Sequence, residues 1–482
     1  MRLFRTGVVA LAALTLGLAA SAAAQRTRTR TRASDAIRIP FERYVLKNGL
    51  TVILAPDHST PTLAVEVYYH VGSKNEIAGR TGFAHLFEHV MFTGSGNAPY
   101  GTFDRLTTGV GGRVNAYTTN DETVYAETIP SGYLESTLWL ESDRMGFLLD
   151  NPDSARFGTQ RDVVRNERRQ NYDNPPYARF QEIIPAAMYP AAHPYSWQSI
   201  GYVADLRQAS IADVEDFFRR YYRPPNATLT IVGDFDPSQA KRWVAKYFSD
   251  LPRGEPIARP DVRPATVTRE QRLVFEDHVQ VPRIYFAWPT GGAKNNDTYA
   301  LNVLASILAG TRTARLTKAL AYDRQSATLP VVGVQRERED AGEFYIWITP
   351  RPGHTLGELE ATADSIIERF KHEGPTAEEL QRAIAGLEFD FVSRLESSAG
   401  KAEVLSLGAS HFGDPGSYRT QYAKLKSVTY ADVKRVANTY LGPGRVVLSV
   451  VPEGKPELAS KPEASAKVTL GPEGGQYIMG AR

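Results

Sequence analysis

The chain is 482 residues long, with no cysteine, 56 basic against 54 acidic side chains and 42% hydrophobic residues. That length calls for at least two cores, the composition excludes a largely disordered chain, and a formal charge of +2 excludes a global electrostatic drive toward nucleic acid or anionic membrane. Without thiols, disulfides, cysteine nucleophiles and Cys-ligated metal centres are excluded too, so any metal sits on His, Asp or Glu.

In chain order, Arg2 and Arg5 precede the apolar run Val8 to Ala20 and the small-residue stretch Ser21 to Ala24. Basic, apolar, then Ala-x-Ala is the pattern of a secretory signal peptide, residues 1–24, cleaved after Ala24. The alternative, an uncleaved anchor, meets a run shorter than the roughly 20 residues a span needs. Loss of Arg2 and Arg5 takes the charge from +2 to 0. The mature protein is expected to be periplasmic or secreted, with no membrane span and no nucleic-acid partner. Residues 25–39, with Arg26, Arg28, Arg30 and Arg32 alternating with threonine, read as a flexible basic leader.

From residue 40 to 252, strand patterns fall at Tyr44–Leu46, Thr51–Ala55, Thr62–Tyr69 and Ala227–Val232. Helical patterns fall at Thr81–Gly94, Tyr133–Asp150, Arg161–Gln170 and Ala212–Tyr222. Residues 253–269 are Pro-rich and charged and read as a linker. From 270 to 455, strands are expected at Arg272–Asp277, Arg283–Trp288, Phe344–Ile348 and Arg445–Val450, and helices at Asp297–Gly310, Thr355–Lys371 and Thr376–Glu396. Residues 456–482, rich in Lys, Pro, Glu, Ala and Gly, read as a loose tail. Strands in neighbouring runs and helices in blocks predict an α+β fold with mostly antiparallel sheets, helices packed on one side.

The two halves are a faded repeat. Ser210, Asp213, Tyr221 and Pro224 recur 219 residues later as Thr429, Asp432, Tyr440 and Pro443, and a strand follows each set, from Ala227 and from Arg445. In both, Ser or Thr caps a helix, Asp favours its first turn and Pro follows its end. Upstream, Thr81–Gly94 matches Asp297–Gly310 at an offset of 216.

Only one copy carries chemistry. In His85-Leu86-Phe87-Glu88-His89 the histidines are four apart, on one helix face, and can hold one metal, with Glu88 beside it. Two histidines at that spacing also cap or solvate surface helices. The second copy has Leu301, Leu304 and Ala305 at those positions, so the fold itself does not need polar groups there. Catalytic zinc takes a third protein ligand and leaves a place for water; the candidate is Glu167, 78 residues after His89. The other histidines, His58, His70, His278, His354, His372 and His411, lack a partner at ligand spacing and read as surface or core residues.

His-x-x-Glu-His with a distant Glu resembles the inverted zinc motif of the pitrilysin (insulinase, inverzincin) family. Further segments are similar to it: Gly72-Ser73, the run Gly112 to Tyr125, Val163-Val164 before Glu167, and His193-Pro194-Tyr195 with Gly201. The resemblance implies two homologous domains facing each other across a cavity that receives peptides or unfolded segments. It implies Zn2+ on His85, His89 and Glu167, Glu88 as general base, and Asn115 and Ala116 on a strand that pairs with the substrate backbone. The alternative for Asn115 is a turn residue after Gly111-Gly112. Two departures stand out. Gln160 occupies a place where relatives often have a second Glu, and Ala321 and Thr328 stand where relatives carry an Arg/Tyr pair gripping the substrate carbonyl. Arg315 and Tyr322 are candidate stand-ins; the other expectation is a homologous subunit that supplies the pair, or a homodimer. The alternative to a metalloendopeptidase is a non-catalytic or zinc- and peptide-binding subunit.

Overall fold

The β-branched runs of the first half form β1 (Glu42–Val45), β2 (Thr51–Pro56), β3 (Thr62–Tyr69), β4 (Arg113–Thr118), β5 (Thr123–Pro130) and β6 (Ala227–Gly233). They lie in the order β1-β2-β6-β3-β5-β4, antiparallel except for β2 against β6. The computed structural model describes residues 37–150, 153–471 and 477–479; the expected signal peptide and residues 25–36 of the leader lie outside them. Among the described residues no helix is long and apolar enough to cross a membrane.

The second half forms β7 (Gln271–Asp277), β8 (Arg283–Gly291), β9 (Val332–Glu337), β10 (Ala341–Ile348), β11 (Val446–Pro452), β12 (Ala466–Leu470) and β13 (Tyr477–Met479), in the order β13-β12-β7-β11-β8-β10-β9. Five strands repeat the first sheet: β7, β11, β8, β10 and β9 take the places of β2, β6, β3, β5 and β4, and β7 runs parallel to β11 as β2 does to β6. The repeat read from the sequence is therefore a repeat of topology. In both halves the cap signals behave alike: Ser210 and Thr429 accept from the backbone N–H of Asp213 and Asp432, whose carboxylates return the bond.

The helices of eight residues or more are α1 (Phe83–Val90), α2 (Leu134–Phe147), α3 (Ser154–Arg168), α4 (Phe180–Met188), α5 (Ile211–Tyr221) and α6 (Pro237–Phe248), then α7 (Asp297–Leu308), α8 (Leu356–Glu373), α9 (Ala377–Arg394), α10 (Ser398–Phe412), α11 (Ser417–Lys426) and α12 (Tyr430–Tyr440). Alternation along each strand gives every sheet two faces. Val65, Val67, Leu229 and Ile231 meet Leu86, Phe87, Leu138, Val214 and Val244 of the same half. Ile284, Phe286, Phe344 and Ile346 meet Leu301, Leu304, Leu359 and Val433. Each such side chain, fully buried, contributes about 1.5–3 kcal/mol.

The opposite faces are exchanged. Ile183, Ile184 and Met188 of α4 pack on Leu273, Phe275, Tyr285 and Leu448 of the second sheet. In return, α10 packs on β3 and β6, where Ser406 Oγ donates to Thr230 Oγ1 at 2.8 Å and His411 Nε2 meets the Tyr68 hydroxyl at 2.8 Å. Each sheet thus has its own helices on one side, and one helix of the other half on the second side. Neither α4 nor α10 is evident in the sequence pattern. At the same junction buried Lys74 pairs with Glu339 (2.5 Å), Asp121 (3.0 Å) and Asp340 (3.1 Å).

Two sequence expectations are corrected. The helix expected at Thr81–Gly94 is shorter, Phe83–Val90, because Gly82 sits at φ +85° and starts it late. The segment expected as a loose tail contains β12, paired with β7 through Ala466, Lys467 and Val468. Ala466 and Val468 are buried while Lys467 and Thr469 face solvent, an alternation that composition alone conceals.

Candidate active site

Helix α1 starts against a buried carboxylate. Glu76 accepts from the backbone N–H of Gly82 (3.0 Å) and Ala84 (2.8 Å) and from Trp197 Nε1 (3.0 Å), satisfying donors that a helix start leaves open. Burial still pushes its pKa up to about 8. The entry is tight: a Cβ on Gly201, at φ +68°, would lie 2.3 Å from Gly82 Cα. Phe83, Leu86 and Phe87 are buried in the core, which turns His85, Glu88 and His89 toward the opposite side of the helix.

Glu167 reaches that side from the end of α3. Its Oε2 is 3.6 Å from His85 Nε2 and 3.3 Å from His89 Nε2. The end of α3 is held by Arg168, buried beside it, which donates to both oxygens of Glu182 (2.7 and 3.0 Å) and to the Gly201 carbonyl (2.6 Å). Ligand atoms of His85, Glu88 and His89 all lie within 4.8 Å of one another. Two zinc bonds of about 2.0–2.1 Å at a tetrahedral angle put their donors about 3.3–3.4 Å apart, so a Glu167 oxygen at 3.3 and 3.6 Å from the two imidazole nitrogens fits a zinc shared with each of them. Gln160, the departure from a second Glu, lies beside His89 and adds to the upward shift of its pKa.

The electrostatics separate the groups. Burial lowers the pKa of His85 and keeps it neutral, as a ligand must be. Burial also pulls on His89, but the hydrogen bond and charge of Glu167 and the charge of Glu88 outweigh it and raise its pKa. Glu167 is lowered, first by its bond to His89. Glu88 is raised by burial, countered by the Thr118 hydroxyl, which donates to Oε2 at 2.6 Å.

These side chains open into a cavity of about 390 Å³, also lined by Ala116, Thr118, Asn171, Tyr172, Gln181 and Ser199. β4 is the edge strand of its sheet and runs along this cavity. Of the two residues expected to meet substrate, Ala116 lines the cavity, while Asn115 is exposed on β4. The sequence reading did not single out Thr118, Tyr172, Gln181 or Ser199; Thr118 stands two residues after Ala116, and nothing in the pattern marks the others.

Ala321 and Thr328 are not among the residues lining this cavity. Ala321 is buried, and Thr328 bonds to the Thr349 carbonyl. Arg315 makes a two-pronged pair with Glu379 at 2.8 Å on each side and donates to the Gly374 carbonyl at 2.8 Å. Tyr322 lies under the Arg312 guanidinium, 4.9 Å from its ring centre. Arg315 and Tyr322 are therefore occupied with local structure and do not line the cavity.

The insulinase (Peptidase family M16) model matches residues 51–194, and the model described as Peptidase M16 inactive domain matches residues 208–387, together well over half of the chain. The zinc protease PqqE of Helicobacter pylori is 29% identical over 407 residues, covering 83% of this chain and 90% of that protein. The crystal structure of a protease from Helicobacter pylori superposes with TM-score 0.79 at 27% identity, covering 86% of this chain and all of that one. The first half of the periplasmic protease PqqL from Escherichia coli shares the fold at TM-score 0.71 and 19% identity, covering 88% and 94%. Sheet topology, the His85/Glu88/His89 helix and these matches lead to one conclusion: the chain belongs to the insulinase family, Peptidase family M16.

Proposed function

We propose that the protein is a zinc-dependent endopeptidase that hydrolyses peptides or unfolded polypeptide segments in the periplasm or outside the cell. The observation that carries this reading is that Glu167 Oε2 stands 3.6 Å from His85 Nε2 and 3.3 Å from His89 Nε2, with the buried Glu88 carboxylate at their side. His85, His89 and Glu167 would hold zinc there, which would supply a Lewis acid for the attacking water and the scissile carbonyl. Glu88 takes the proton of the attacking water and delivers it to the leaving amine. Thr118 holds Glu88 in place for both transfers. The free edge of β4 takes the substrate backbone as an added strand, with Ala116 and Asn115 along it.

On this reading residues 1–24 are removed on export, residues 40–252 form the peptidase domain, and residues 270–455 form a homologous domain without metal. A homologous second chain raises activity by adding an Arg/Tyr grip, since Ala321 and Thr328 supply none. The alternative of a non-catalytic or zinc- and peptide-binding subunit gains nothing from the inactive-domain match, which begins at residue 208, after all four site residues. Peptide hydrolysis by the purified chain, with and without a chelator and with a homologous chain titrated in, tests the reading. Turnover abolished by chelator supports it, and none under any condition contradicts it.

A further inference from the structure

Amide hydrolysis needs one more kind of group, a donor for the carbonyl oxygen as negative charge builds on it. Among the described residues lining the metal cavity none is Lys or Arg. The Thr118 hydroxyl is given to Glu88, and the Asn171 amide is turned toward Glu167 Oε1 at 3.5 Å. Tyr117 borders the cavity through β4, but its neighbouring charges are Glu66, Glu122, Glu403 and Arg394, and its side chain lies on the face of the sheet opposite to Thr118. Tyr172 is different. Its ring packs against the core of the first sheet, its body lines the cavity, and its hydroxyl makes no hydrogen bond among the described residues.

The backbone gives Tyr172 a fixed place. It lies in a π-helical turn, Arg169–Asp173, that follows α3 directly after Glu167 and Arg168; such turns are rare and occur often at functional sites. Asp173 on one side is tied to Arg179 (3.2 Å) and to Arg168 (3.4 Å), so the segment that carries the phenol is braced at both ends. Burial, then Glu182, raise the Tyr172 pKa, with Arg336 and Arg168 acting the other way; the hydroxyl keeps its proton. A phenol is a stronger donor than the Gln181 amide or the Ser199 hydroxyl that remain in the cavity.

We propose that the Tyr172 hydroxyl donates a hydrogen bond to the scissile carbonyl oxygen as that oxygen becomes anionic. The inference rests on the peptidase reading, and gives the single chain its own donor, to which a partner's residues add. The test uses the mature chain alone, as wild type and Tyr172→Phe, with zinc content and circular dichroism recorded for both. Tyr172→Phe is expected to keep zinc and fold and to lose about 10²-fold in kcat, with KM unchanged. It is also expected to bind a phosphinic peptide, whose tetrahedral anion resembles the attacked carbonyl, at least roughly tenfold more weakly, while a product peptide binds as before. Wild-type kcat in the zinc-loaded variant, or an equal loss for both peptides, overturns the inference and leaves the peptidase reading standing. A wild-type chain that hydrolyses no peptide and binds no phosphinic peptide overturns both.

Discussion

Thr118 and Glu88 are joined by a 2.6 Å hydrogen bond from the threonine hydroxyl to Oε2. The edge strand that borders the cavity thereby holds the carboxylate of the helix that carries both histidines. Donation to the charged carboxylate favours its ionised form, and this is the main influence opposing burial at Glu88. Thr118→Val removes it. The Glu88 pKa then rises, and the acid limb of the kcat/KM profile moves to higher pH. Activity at neutral pH falls by about tenfold, the effect of roughly 1.4 kcal/mol. An unmoved acid limb in a pH series on the variant would count against Glu88 as the base.

The metal assignment is checked without any turnover. His89→Ala leaves His85 and Glu167, two ligands where zinc normally takes three from the protein. The purified variant is expected to hold well under one zinc per chain by elemental analysis, against one for the wild type. Stoichiometric zinc in His89→Ala would mean that the metal sits elsewhere.

Arg315 separates two views of the second half. Its guanidinium is held by Glu379 and the Gly374 carbonyl and is not among the groups lining the metal cavity. Arg315→Ala is expected to lower stability by about 1–3 kcal/mol in a denaturant series, as the loss of a charged hydrogen bond does, with kcat/KM within about twofold of wild type. A large loss of turnover without a loss of stability would restore Arg315 as a substrate residue.

The junction of the halves rests on buried charge. Lys74 faces Asp121, Glu339 and Asp340; removing it strands carboxylates away from water. Lys74→Met is expected to cost about 3–5 kcal/mol, read as a lower denaturation midpoint. An unchanged midpoint would show that the pairs contribute nothing.

At the same junction burial lowers the pKa of His411 to about 4, with Glu339 and Asp121 opposing and His70 and Lys74 reinforcing the shift; Tyr68 and Glu122 also face it. The unfolded histidine titrates near 6.5. Between pH 6.5 and about 4 the unfolded chain binds a proton that the folded chain refuses, so this group's contribution to stability falls as pH drops through that window. The loss is on the order of 3 kcal/mol. His411→Gln should be flatter than wild type across the same range in denaturation series at stepped pH, and equal slopes would contradict the shift.

The repeat was legible because helix caps and strand starts are local chemistry: Ser210 with Asp213 and Thr429 with Asp432 act within four residues. The contrast between His85, Glu88, His89 and Leu301, Leu304, Ala305 was legible for the same reason, since equivalent helices differ where only one has polar groups. Hydrophobic pattern reports that a face is buried but not which element buries it. Hence the exchange of α4 and α10 was hidden: His411 reads as a surface or core residue and Ser406 carries no mark until Tyr68 and Thr230 meet them from the other half. Tyr172 was hidden too, because its place depends on a π-helical turn that leaves no mark in side-chain periodicity.

The central claim is that Glu88 moves protons beside a metal held by His85, His89 and Glu167. The most direct measurement is hydrolysis of an internally quenched peptide by zinc-loaded wild type and zinc-loaded Glu88→Gln, with zinc measured in the same samples. The account predicts equal zinc and a loss of at least roughly two orders of magnitude in kcat, the share of a general base. Near-wild-type hydrolysis by zinc-loaded Glu88→Gln would contradict it.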